Sequence, residues 1–168
     1  FVDIGANMGF FSLFAATKKA RIIAIEPQRI LFDRLSTNMR LNGIEACLIN
    51  AAVGEKDETG TLVQTNMDYG SATIGSGEGE TIHIRPLLEI LSDAKVNHIN
   101  ILKIDVEGYE DRALLPFLNT VPSSMLPDHI IMEYSERDRW QSDLISKLKQ
   151  VGYRQRARTR ANALLSRK

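Results

Sequence analysis

The chain opens with Phe-Val-Asp-Ile-Gly-Ala-Asn-Met-Gly-Phe-Phe-Ser, and this stretch limits what it can fold into. Residues 1–4 are too few and too apolar for a solvent-facing strand, and read as the buried end of a central parallel one. Gly5 and Gly9 free the backbone to turn sharply, and helical spacing resumes at Phe10. A strand, a glycine turn and a helix start place unpaired N–H groups and a positive dipole end beside an open crevice. Such a crevice holds the carboxylate or phosphate of a nucleotide-like ligand. The dinucleotide fingerprint puts a glycine where Asn7 stands, so that a pyrophosphate can approach the main chain. A bulky polar side chain there argues against NAD and for a smaller ligand that Asn7 can hydrogen-bond. The plainer reading is that Gly5 and Gly9 only let a helix pack closely on a sheet.

Alternation of strands and helices continues down the chain. Residues 10–19 read as a helix with Phe11, Phe14 and Ala15 toward the sheet, and residues 21–25 as the second strand, stopped by Pro27. Glu26 lies about 20 residues beyond the glycine turn, where a ribose-binding carboxylate is expected; it could also simply favour the helix that follows. Residues 28–42 form a helix carrying Leu31, Leu35 and Met39 on one face, with Gly43 after it. Residues 46–53 read as a third strand whose end, Asn50-Ala51-Ala52, faces the same crevice. Small residues there suit a flat purine ring or ordinary packing alike.

Beyond Gly54 the pattern breaks. Residues 60–65 and 81–85 read as strands, and residues 66–80 as a Gly- and Ser-rich loop, taken as a substrate lid. A short helix over 86–91 precedes a fourth strand over 99–105. Asp105 and Glu107 then sit at the carboxyl end of that strand, the active edge of an open parallel sheet, with Lys103 on the same face as Asp105. Acids in this position could hold a hydroxyl nucleophile, accept its proton or bind a metal. Alternatively they cap the next helix, a role that Glu110 and Asp111 fit better. That helix runs from Gly108 toward Leu115 and should end or kink at Pro116.

A fifth strand over 129–134 brings Glu133 to the same edge. An amphipathic helix follows over 138–151, then a terminal hairpin in which Arg154, Arg156, Arg158 and Arg160 share one face and protect the edge. His83 and His98 have no evident partner, and Trp140 and Cys47 read as packing.

Composition narrows the class. The 168 residues suit one α/β domain. Lys plus Arg equals Asp plus Glu at 21 each, so no global charge draws the chain to nucleic acid or membrane. The lone Cys47 cannot form an internal disulfide, which points to a reducing, cytoplasmic setting, and no Cys/His cluster suggests a metal. Because Phe1 already lies inside the central strand, a segment before it is expected.

The stretches at residues 2–12, Glu26-Pro27, 50–54 and Leu102-Lys103-Ile104-Asp105-Val106-Glu107-Gly108-Tyr109-Glu110 resemble the FkbM family of S-adenosylmethionine-dependent methyltransferases. The resemblance covers most of the chain and implies a class I methyltransferase Rossmann-like fold, a mostly parallel sheet with an antiparallel C-terminal hairpin. It implies S-adenosyl-L-methionine as cofactor. The Gly5-Ala6-Asn7-Gly9 turn would hold its methionine part, with Asp3 nearby. Glu26-Pro27 would take the ribose, and Asn50-Ala51 would flank adenine. It also implies O-methylation of a sugar, glycan or other small acceptor, with Asp105, then Glu107, then Glu133 as candidates to position or deprotonate the hydroxyl. No second ligand for a metal at Asp105 is identifiable, and Tyr109 stands where the family often has His. The rivals are an NAD-dependent oxidoreductase and a catalytically silent nucleoside-binding module.

Overall fold

A computed structural model describes residues 1–64 and 72–167. Chain order is β1 (Val2–Ile4), α1 (Phe10–Ala16), β2 (Ile22–Ile25), α2 (Arg29–Leu41), β3 (Ala46–Ile49), β4 (Ala52–Gly54), β5 (Glu58–Gln64), β6 (Ala72–Ile74), β7 (Glu80–Pro86) and α3 (Leu87–Asp93). It continues with β8 (Ile101–Ile104), α4 (Glu110–Thr120), β9 (His129–Glu133), α5 (Leu144–Gln150), β10 (Arg154–Arg158) and β11 (Asn162–Ser166). A seven-stranded sheet has the order β10-β11-β9-β8-β1-β2-β3. Its five strands from β9 to β3 run parallel, and β11 runs antiparallel to both of its neighbours, β9 and β10. The class I methyltransferase arrangement, Rossmann-like with an antiparallel terminal hairpin, is thus the fold observed.

β1 and β2 are buried along their whole length, as parallel strands covered on both faces must be. Each fully enclosed Ile, such as Ile4, Ile23 and Ile25, contributes about 1.5–3 kcal/mol through burial. α3, α4 and α5 pack on one face of the sheet through Leu91, Leu114 and Leu148, while α2 covers the other through Leu35 and Met39. Among the described residues no helix is long and apolar enough to cross a membrane.

Several local expectations change. Residues 46–53 are not one strand: the chain breaks at Asn50 and Ala51, and β4 joins a second sheet of order β4-β7-β5-β6. The side-chain amide of Asn50 causes the break, donating to the carbonyls of Glu26 and Pro27 (both 2.9 Å) and pulling the chain across the end of β2. Residues 66–71 of the expected lid lie outside the described residues. Ala72–Ile74, by contrast, is strand β6, paired antiparallel with β5.

Helix α4 continues through Pro116 to Thr120. Proline removes one backbone bond, but Ala113 and Leu114 before it and Phe117 and Leu118 after it are buried, which holds both halves in place. In α1 the aromatic face is turned outward, with Phe10 at 76% and Phe14 at 63% exposure. The reason is polar: Ser12 donates to buried Asp3 (2.7 Å), so the Ser12 side of the helix meets the sheet instead.

Near the C-terminus α5 starts at Leu144, later than residue 138, because Asp143 caps it by accepting from the Ser146 N–H (2.9 Å). A bulge between Gln155 and Ala157 puts Arg154 and Arg158 on opposite faces of the hairpin, so the arginines form no single stripe. Both histidines without an evident partner have one at the surface: His83 meets Asp57 (2.7 Å) and His98 meets Asp128 (3.1 Å).

Gly9 ends the glycine turn at φ 91°, and a Cβ there would lie 2.6 Å from Leu35 Cδ1 and 2.9 Å from Met39 Cε. Gly9→Ala therefore combines left-handed strain with overpacking between α1 and α2. The expected loss is about 2–4 kcal/mol, read as a shifted urea midpoint at unchanged slope.

Candidate active site

The carboxyl ends of β1, β2 and β8 open into a cavity of about 290 Å³. The turn after β1 shapes its floor. Gly5 has φ 69°, and a Cβ at that position would stand 1.9 Å from the Asp105 carbonyl oxygen, so only glycine lets the ends of β1 and β8 come this close. The Gly5 and Ala6 N–H groups both donate to the Ile25 carbonyl (3.0 Å), folding the turn over the end of β2. Asn7 follows in the left-handed region at φ 52°, a conformation asparagine tolerates better than most residues, and its Oδ1 accepts from the Met8 N–H.

This turn delivers the Asn7 backbone N–H to Glu26 Oε2 (2.8 Å), while the Gln28 N–H reaches Oε1 (2.9 Å). Glu26 is only 5% exposed yet borders the cavity. Burial pushes its carboxyl above the usual range, and the two N–H donors pull it back. A carboxylate fixed by two backbone donors, with lone pairs still facing a cavity, is arranged to accept from a pair of ligand hydroxyls.

Lys103 knits the other side of the floor. The residue is 4% exposed, and its ammonium donates to the Gly5 carbonyl (2.9 Å) and lies 3.5 Å from Asp3 and 3.6 Å from Asp105. Asp3 is fully enclosed; burial raises its carboxyl, and Lys103 and Ser12 oppose the rise. The residues expected around a cofactor therefore divide into two sets. Gly5, Ala6, Asn7, Glu26, Pro27 and Ala51 line the cavity. Asp3, Gly9 and Asn50 lie behind its lining, as support for the floor, the helix contact and the end of β2.

Asp105, Glu107 and Glu133 meet at the rim, with one carboxylate oxygen from each lying within 4.8 Å of the other two. Glu107 has φ 55°, and the loop presenting it is clasped by buried Glu110, which accepts from the Val106 and Gly108 N–H groups and from the Trp140 indole (2.7 Å). Asp111 likewise accepts from the Gln141 and Ser142 N–H groups. The pair fitted as helix caps thus ties loops to α4, and Trp140 is anchored by a hydrogen bond as well as by packing. Ser135 donates to Glu133 (2.7 Å), but burial, and then the negative charge of Asp105, push its carboxyl up to about 7. A proton on Glu133 converts its repulsion with Asp105 into attraction. Side-chain oxygens from Glu107 and Glu133 thus stand beside Asp105 at the edge where the sequence put all three, although the sequence identified no second ligand for a metal there. Rim acids group this way without an ion as well, and the grouping alone assigns no metal.

The second sheet supplies the remaining wall through Leu62, Thr73 and Ile74, and Tyr109 closes one corner with its ring under the Arg112 guanidinium (3.8 Å). Neither feature, nor the place of Gln28 in the lining, was evident from sequence. The wall depends on a long-range pairing of β5 with β7 that no local pattern announces.

Comparison with known proteins agrees with this geometry. The sequence profile described as "Methyltransferase FkbM domain" matches residues 3–155. The chain belongs to the FkbM methyltransferase family. Among curated relatives it is 32% identical to "Methyltransferase sdnD" of Sordaria araneosa over 146 residues, covering 65% of this chain and 56% of that protein. It is 30% identical to "Hexuronic acid methyltransferase AglP" of Haloferax volcanii over 125 residues, covering 72% and 51%. The chain thus spans about half the length of these relatives. Among solved structures, "Methyltransferase FkbM" from Methylobacillus flagellatus superposes with a TM-score of 0.63 at 23% identity, covering 98% of this chain and 42% of that one. This last likeness bears on the fold alone.

The raised Glu133 carboxyl has a consequence for stability. The folded FkbM domain holds this proton above the ordinary glutamate value of 4.5, so the associated stability is full below that pH and is lost as pH rises through about 7. Partial solvent exposure screens the effect to about 1–2 kcal/mol. Urea unfolding of Glu133→Gln should lack this decline and exceed wild type at pH 8; equal slopes for both proteins between pH 5 and 8 would contradict the raised value.

Proposed function

We propose that this FkbM domain binds S-adenosyl-L-methionine in the cavity at the sheet's carboxyl edge and methylates a hydroxyl oxygen of a sugar, glycan or other small metabolite. The observation that carries the reading is the buried Glu26 carboxylate, held by the N–H groups of Asn7 and Gln28 and facing the cavity beside the glycine turn. It suits the two ribose hydroxyls of a nucleoside. Gly5, Ala6 and Asn7 would line the amino-acid part, and Pro27 and Ala51 the base. When bound, the cofactor supplies a methyl group already activated on a sulfonium.

The chain's own task is then to align an acceptor oxygen and remove its proton. Alignment of this kind is worth up to about 7–11 kcal/mol, and a general base adds about 10²–10⁴-fold. Asp105 would serve as the base, a role supported by its position at the cavity with Lys103 behind it. Glu107 and Glu133 flank it and offer further acceptors to a polyhydroxylated substrate. The Haloferax relative named for hexuronic acid is consistent with a sugar acceptor.

Calorimetry on the intact protein tests the cofactor: adenosylmethionine and adenosylhomocysteine should bind and NAD should not. Glu26→Ala should abolish the heat of binding, and undiminished affinity would remove the ribose assignment. Asp105→Asn should bind cofactor with affinity within about twofold of wild type. With an acceptor found by labelled-methyl screening, its turnover should fall about 10²–10⁴-fold. Full turnover by Asp105→Asn would exclude it as the base.

A further inference from the structure

Gln28 lies two residues beyond Glu26, where the chain passes from β2 to α2, and is only 6% exposed. Its backbone N–H is engaged by Glu26. Its carboxamide oxygen is enclosed without any donor, and among the described residues the side chain makes no hydrogen bond. Folded proteins rarely leave an amide in this state, because a buried acceptor has lost its water and gained nothing. The side chain borders the cavity. Its terminal torsion is broad and soft, so the oxygen can turn toward the cavity while the backbone stays fixed.

The character of the neighbouring surfaces decides what would meet it. The lining includes the glycine turn and the charged pair Lys103 and Asp105, and also an apolar set formed by Leu31, Ala52, Leu62 and Ala72. A flat, weakly polar base joined to a ribose on Glu26 would find its match in that apolar set. Gln28 borders a second, open groove together with Leu62 and Ala72, which puts it beside this apolar set, and among the described residues its carboxamide oxygen is enclosed without a partner. Asn50, expected to flank the base, has its amide nitrogen committed to the carbonyls of Glu26 and Pro27 and is not among the residues that line the cavity.

We propose that Gln28 recognises the base: its carboxamide oxygen accepts a hydrogen bond from the exocyclic amine of the purine. The inference rests on the nucleoside reading above and adds the group that selects an aminopurine. A neutral acceptor does this without placing a second negative charge beside Glu26.

The test is calorimetric titration of the intact protein with S-adenosylhomocysteine and with its 6-deamino analogue, which carries hydrogen in place of the amine. Wild type should prefer the amine about tenfold or more, and Gln28→Leu should reduce the preference below about twofold. Equal binding of both ligands by wild type overturns the proposal without any variant, so a misfolded Gln28→Leu would not shelter it. Retention of the full preference by a folded Gln28→Leu also overturns it. So does a variant that instead loses discrimination against a 3′-deoxyribose analogue, which would give Gln28 to the sugar. Absence of any binding of adenosylhomocysteine refutes the nucleoside reading itself, an outcome distinct from binding without preference.

Discussion

The Lys103 ammonium lies within 3.6 Å of three oxygens from three parts of the floor: the Gly5 carbonyl and the Asp3 and Asp105 carboxylates. Lys103 and Asp3 are enclosed, and neither charge is tolerable there alone. Their meeting follows from strand pairing, since β1 and β8 run parallel with Asp3 opposite Lys103. A slip of one residue would turn each side chain to the other face and leave a carboxylate stranded in the core. The ion group thus fixes register at the centre of the sheet, and register fixes where Gly5 meets Asp105.

Much of this was legible in the sequence because it is local. The apolar runs of β1, β2 and β8, the glycine turn and the acids at strand ends each announce themselves within a few residues. What escaped depends on contacts across the chain. Phe11 and Phe14 have the spacing of a buried face, but a hydrogen bond between Ser12 and Asp3 outweighs that pattern and rotates α1. Pro116 has the local signature of a helix end, yet Phe117 and Leu118 anchor the turn beyond it. Residues 46–53 have the composition of one strand, and a single Asn50 amide divides them.

The site divides in the same way. Glu26 stands out by its distance from the glycine turn, and Asp105 by its place at a strand end. Glu133 arrives from a strand far along the chain, yet its position at a strand end was also sufficient to place it at the common edge. Gln28 was invisible, because nothing in an isolated glutamine reveals that its amide will be enclosed. Tyr109 and the β5–β7 wall were invisible for a similar reason.

The charges around the cavity also bear on the choice between ligands. Glu26, Asp105 and Glu107 line it with Lys103 as the cation among them, and Lys103 already faces Asp3. A pyrophosphate entering this space would meet more carboxylates than ammonium groups, at distances where solvent screening is weak. It would also find Asn7 where the main chain must be bare. A ligand with hydroxyls for Glu26 and a positive centre toward Asp105 and Glu107 meets complementary charge at both ends. Electrostatics and turn sterics, which arise from different residues, therefore disfavour the dinucleotide on independent grounds.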